Sequence, residues 1–184
     1  MRRILQMLIL FLPVPIALLA AAVPRISFDE LVTGSEWIVH GTVRESWTEW
    51  DRTQQFIWTH YRVDVHDRLK GHGETSIVIS EPGGRVGNRE QYYSGMMNFA
   101  TGEEVVLFLY RTPVGYLRVT GHGQGKYVVD RTGNARPDIR GLELVDLSSK
   151  TQPRWNASTA NDDESVEQLK TRIRAMIRAA GGRL

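Results

Sequence analysis

The chain contains no cysteine. That single absence excludes disulfides, thiolate metal sites and cysteine nucleophiles, so the fold must rest on its hydrophobic core. Charge of one sign is also missing in any useful excess: 23 Lys and Arg stand against 21 Asp and Glu. Long apolar runs are absent beyond the first 20 or so residues. There, Arg2 and Arg3 precede an apolar stretch from Ile4 to Ala20, and Ala20-Ala21-Ala22 supplies the small-x-small pattern of a signal-peptidase site. A membrane span needs about 20 uninterrupted apolar residues, and Pro13 and Pro15 break this one. The expectation is a signal peptide over residues 1–22, cleaved after Ala22, with no stable membrane insertion afterwards.

Cleavage would leave 162 of the 184 residues, enough for one domain, 23–184, with a substantial core. It would also remove Arg2 and Arg3 from the 23 basic residues, leaving 21 against 21 acidic ones. The basic pI of about 9.0 then belongs largely to the targeting segment, and nucleic acid is not expected as a partner. Export without disulfides points to a secreted or periplasmic protein of a bacterial envelope.

Hydrophobic periodicity describes a mainly β domain with a helix at each end. Ser27-Phe28-Asp29-Glu30 is a capping box that opens a short helix ending near Gly34. Over 36–50, Trp37, Val39, Gly41 and Val43 alternate with His40, Thr42 and Arg44, which predicts a half-buried strand. Phe56 to Leu69 repeats the alternation, with Ile57, Thr59, Tyr61, Val63 and Val65 inward and His60, Arg62, Asp64 and His66 outward. Ser76 to Ser80 follows as a third strand, ended by Glu81-Pro82-Gly83-Gly84, and residues 85–101 predict a short strand and an ordered loop. Val105 to Leu109 is apolar without alternation, as in a strand covered on both faces. Further strands are expected near Tyr116 to Val119 and Lys126 to Asp130, then a loop excursion over 131–163 with one extra strand around Leu142, Leu144, Val145 and Leu147. In the last helix, about 164–180, Val166, Leu169, Ile173, Met176, Ile177 and Ala180 recur at helical spacing and Gly181-Gly182 stops it. Its apolar stripe is the expected cover for the Val105 strand. Lys170, Arg172, Arg174 and Arg178 are expected in solvent.

Motifs that carry chemistry are scarce. Gly121-His122-Gly123-Gln124-Gly125-Lys126 fails the phosphate-loop test, because Thr120 and Tyr127 occupy the positions that need glycine and a hydroxyl-bearing Ser or Thr. A close approach of two backbones at a barrel corner explains those glycines better. His60 and His66 lie about 20 Å apart along one strand and cannot share an ion, so the histidines are expected at the solvated surface. Ser80 and Ser94 lack a nucleophile elbow, and Glu103-Glu104 is expected to blunt the strand it precedes. No cofactor, metal or catalytic residue is expected. Trp47, Trp50 and Trp58 flank the first hairpin and are the candidate binding residues for a protein or glycan partner, unless cross-strand packing consumes them.

The runs Trp37-Ile38-Val39-His40-Gly41-Thr42-Val43, Tyr61-Arg62-Val63-Asp64-Val65, Leu69-Lys70-Gly71 and Gly102-Glu103-Glu104-Val105-Val106-Leu107-Phe108-Leu109 resemble netrin-like modules and tissue inhibitors of metalloproteinases. The likeness covers about 37–130 and extends to exported bacterial proteins with the same barrel pattern. It implies an OB-type barrel of five or six strands with helices packed alongside, and a binding module. Those inhibitors chelate the protease zinc through an N-terminal cysteine, which this chain lacks, so no inhibitory residue carries over. Three functions follow as expectations: an exported, non-enzymatic binding module; a protease inhibitor or protease-associated protein; and a hydrolase assembled from distant groups such as His122, Tyr127 and Glu104.

Overall fold

The computed structural model describes residues 21–140, 142–145 and 164–181. Residues 1–20 of the segment expected to be a signal peptide, Leu147 and most of the expected 131–163 excursion lie outside the described residues. The strands are β1 Ala21–Pro24, β2 Trp37–Trp50, β3 Ile57–Lys70, β4 Ser76–Pro82, β5 Gly84–Val86, β6 Arg89–Gln91, β7 Glu104–Arg111, β8 Leu117–Val119, β9 Lys126–Val129, β10 Ala135–Pro137 and β11 Leu142–Val145. The helices are α1 Phe28–Gly34 and α2 Val166–Ala179.

The main sheet runs β10-β9-β7-β2-β3-β4-β8, and a further β7–β8 pairing closes five of these strands into a ring. Closure works because β7 divides one edge between two partners: Glu104 to Leu107 pair with β9, and Leu109 to Arg111 with β8. The ring's last contact is a parallel one, Ile79 to Leu117. A closed ring removes the exposed strand edges that would otherwise recruit other chains. The fold is thus mainly β with two helices, as the periodicity predicted, and its sheet is barrel-like.

Two apolar layers lie on opposite sides of the sheet. Inside the ring, Val39, Val63, Ile79, Val105, Leu107 and Leu109 pack together, and Met97 and Phe99 from the 92–103 loop plug them. Outside, Ile38, Leu69, Val106 and Phe108 meet Leu31 and Val32 of α1 and Leu169, Ile173 and Ile177 of α2. Burying each of those α2 side chains contributes about 2 kcal/mol. The apolar stripe of the last helix does cover the Val105 strand, and both faces of β7 are buried from Val105 to Leu109.

Both helices begin with a complete capping box. Ser27 and Glu30 form the expected one, and Ser165 with Gln168 forms a second. Lys170 departs from its expected place in solvent. It is buried, pairs with Asp67 and Glu167, and together with Arg174 clamps α2 to β3. Burial pushes the Asp67 carboxyl up, but the hydrogen bonds and charges of Lys170 and Arg174 outweigh it and hold it below its ordinary range.

Other corrections concern strands. The first half of β2 is not half-buried: Ile38, Val39, His40 and Gly41 are all buried, because α1 and α2 cover the face expected to be wet. Residues 84–91 form a small β5–β6 hairpin rather than one strand. The excursion contributes two strands, not one. β10 extends the main sheet beyond β9, and β11 runs parallel to β1. β1 begins at Ala21, so cleavage after Ala22 would leave Val23 and Pro24 on β11, with the Arg25 N–H still donating to Val145 O.

Candidate binding face

The face-switch in β2 is the local event from which the site is built. Val43 pairs with Val63, but the next pair is Glu45 with Arg62, so Arg44 is an extra, bulged residue. One extra residue inverts the alternation. Before the bulge the odd positions Val39 and Val43 face the interior. After it, Ser46, Thr48 and Trp50 share the inner side with Tyr61, Thr59 and Ile57, while Trp47 and Glu49 turn outward beside His60 and Trp58. The β5 hairpin closes the inner side, where Thr48 Oγ1 donates to Arg85 O and Thr59 Oγ1 to Gly83 O. The three tryptophans are therefore divided: Trp47 and Trp58 lie on one face, and Trp50 lies on the other.

On the outer face the rings interlock. Trp47 stacks on its cross-strand partner His60 with centroids 5.2 Å apart at 26°. Tyr116, from the turn before β8, lies 5.9 Å from His60 and 4.6 Å from Trp58. The Arg62 guanidinium sits 5.7 Å from the Trp47 ring and is held by Glu45. The aromatic residues are half-buried by one another, and Glu49 stands at the rim with a largely exposed carboxylate.

His60 lies beneath these rings. It occupies the outer side as the alternation predicts, yet only 5% of it is exposed, so the expected solvated histidine is a buried one. The neighbouring rings supply the cover that a single-strand pattern omits. His40 is likewise buried, at 7%, with Nε2 2.7 Å from Glu104. His66 is exposed as expected. Around His60, Nδ1 lies 2.8 Å from Ser80 Oγ, and Nε2 is 3.3 Å from Glu49 Oε1 without the geometry of a hydrogen bond. Burial pushes the His60 pKa down, and Glu49 pulls it partly back.

Ser80, His60 and Glu49 form a hydroxyl–imidazole–carboxylate series that the sequence did not signal, since its members come from three strands. It is not arranged for acyl transfer. Ser80 is 2% exposed in the middle of a strand, and Trp47 and Tyr116 flank the imidazole, so a carbonyl carbon has no approach to Oγ.

A second polar cluster lies at another end of the barrel. Lys126 is 1% exposed, and its ammonium donates to Asn98 O at 2.7 Å and Asp138 Oδ2 at 2.9 Å, with Glu103 Oε2 at 3.1 Å and the Phe99 ring at 4.5 Å. Burial raises the Asp138 pKa, but Arg140 and Lys126 overcome this and lower it. The cluster borders a cavity of about 490 Å³ that Met96, Met97 and Leu142 also line. Every ammonium proton has a partner, and the arrangement ties β9 to the 95–103 loop and to Asp138. Glu103 therefore does more than blunt β7, and Glu104 serves His40. The glycines before Lys126 meet the expected steric need: a Cβ at Gly123 would lie 1.9 Å from Asp138 O, and one at Gly125 2.1 Å from Thr120 O.

His122, Tyr127 and Glu104 are not brought together. Tyr127 is buried in the helix-covered layer, Glu104 pairs with His40, and His122 lines a separate cavity with Tyr110 and Arg118. Among the described residues, no three His, Asp or Glu side chains converge as metal ligands, and no helix is long and apolar enough to cross a membrane. No protein-family model, curated protein or solved structure matches the chain.

Proposed function

We propose that the protein is an exported, non-enzymatic binding module that engages a glycan of the envelope or extracellular space through the face formed by Trp47, Trp58 and Tyr116. One observation carries this reading. α1 and α2 cover the outer side of the sheet at one end, whereas at the distal end of the β2–β3 ribbon three half-buried aromatic rings take their place, rimmed by Glu49 and Arg62. Apolar ring surface beside charged hydrogen-bonding groups suits the alternating C–H faces and hydroxyls of a sugar. The likeness to netrin-like modules supports a binding role and adds no residue to it.

Affinity electrophoresis through soluble envelope polysaccharides tests the reading. Retardation should fall about tenfold or more in Trp58→Ala, and Trp50→Ala, altering the opposite face, should retain it. Equal retardation of Trp58→Ala and the wild type, with both folded, would exclude this face. Capture of a protein and no polysaccharide would replace the glycan with a protein partner. Export is checked separately, by N-terminal sequencing of the mature protein, where Val23 is the expected first residue.

A further inference from the structure

We propose that His60 is a proton-operated latch of the binding face: when its ring takes up a second proton, Glu49 closes the short gap to Nε2 and its carboxylate is engaged there instead of by the ligand, which is released. The inference rests on the binding reading above for its consequence, but the latch itself stands on the geometry of the cluster.

Among the described residues, the groups facing His60 can be named. Trp47 and Glu49 come from β2, Trp58 and Arg62 from β3, Ser80 from β4 and Tyr116 from the turn before β8. Arg62 is engaged by Glu45. Glu81 follows Ser80 but pairs in register with Thr59 on the inner side, where Arg118 and the Val119 N–H hold it. Among the described residues, Glu49 and Ser80 are therefore the two groups that answer a change of charge on the imidazole.

Their chemistry is asymmetric. A serine hydroxyl can donate or accept, whereas an ionised carboxylate only accepts. In the neutral ring one nitrogen donates and the other accepts, and at 3.3 Å Glu49 forms no good bond with Nε2, which is left buried without a hydrogen-bond partner. In the doubly protonated ring both nitrogens donate. Ser80 then needs only to rotate its hydroxyl, and Glu49 needs only to close a few tenths of an ångström to form a charge-assisted bond. Both acceptors are thus already in position for the imidazolium, and the cost of making it is desolvation beneath Trp47 and Tyr116. Burial places the transition below the ordinary histidine range. A sugar hydroxyl that donates to Glu49 at neutral pH would lose that acceptor in acid.

Tryptophan emission supplies a readout that needs no ligand, because an imidazolium stacked on an indole quenches it. Emission of the whole protein should fall on acidification with a midpoint below about 6.5, the free-histidine value. The step should be absent from Trp47→Phe and His60→Gln. Glu49→Gln alters an exposed side chain and keeps the fold, and it should move the midpoint to lower pH by removing the counter-charge. In parallel, polysaccharide retardation by the wild type should weaken about tenfold across the pH range of the quenching step, and that of His60→Gln should stay flat. A wild type without the quenching step, or a Glu49→Gln variant with an unmoved midpoint, overturns the latch. A step accompanied by pH-independent retardation overturns its control of the ligand and leaves the binding reading standing. Absence of any retardation at any pH, with the quenching step intact, removes the binding reading and leaves the proton-driven movement supported.

Discussion

The root and the distal half of the β2–β3 ribbon are built from one continuous pair of strands, yet they meet the solvent differently. At the root, Ile38 and Leu69 are apolar on the outer side and two helices close over them. Beyond the Arg44 bulge the same outer side carries Trp47, Glu49, Trp58 and His60, and the rings cover one another. A helix gives a dry, fully packed layer. A ring cluster gives a layer only partly withdrawn from water, with a buried imidazole that still has a proton to gain. The stabilising half and the adaptable half of one ribbon are thereby separated by a single inserted residue.

The largest expected contrast is in stability. Phe108→Ala empties a site at 0% exposure beneath both helices and should destabilise the protein by about 3–5 kcal/mol in urea unfolding. Trp58→Ala in the distal half, where the ring is half-buried, should cost nearer about 1–2 kcal/mol. Comparable losses would mean that the ring cluster is as much a core as the helix-covered layer.

A smaller effect separates the halves by pH. His60 has a folded pKa below its unfolded value of 6.5, so its neutral form contributes stability that is fully present above 6.5 and is lost as pH falls toward the folded pKa. Burial of Glu81 raises that carboxyl's pKa against the pull of Arg118, an effect of opposite sign. The informative quantity is therefore the difference between wild type and His60→Gln in unfolding midpoint. It should shrink as pH falls below 6.5, and a constant difference would show that His60 is not held neutral. The smallest contrast is at the helix that makes the root dry. Ser165→Ala removes the capping bond to the Gln168 N–H and should cost about 1 kcal/mol, without moving the quenching step of the distal half.

Much of this architecture is legible in the order of residues, because period two and period 3.6 are properties of the backbone itself. The unbroken apolar run from Val105 to Leu109 announces a cover on each side, and the stripe Leu169, Ile173, Ile177 announces what provides it. Other features are invisible for equally physical reasons. Lys126 is a charge in a strand, and only the fold shows Glu103, Asp138 and Asn98 converging on it from separate segments. Lys170 looks like any charge on a polar helix face until Asp67 meets it. The three tryptophans look like one platform, and the Arg44 bulge, a register event with no residue signature here, assigns Trp50 to the other side.

By itself the sequence determined that this is a disulfide-free, mainly β domain with a helix at each end, the first of them capped by Ser27 and Glu30, and an apolar strand sandwiched between two layers, because local backbone preferences and the pattern of burial need no partner to be read. Tertiary structure alone decided that the sheet closes through β7 and β8, which histidines are buried, and that Ser80, His60 and Glu49 stand in series. Those outcomes depend on which strands become neighbours and in what register, and distances across a sheet are set only when the chain has folded.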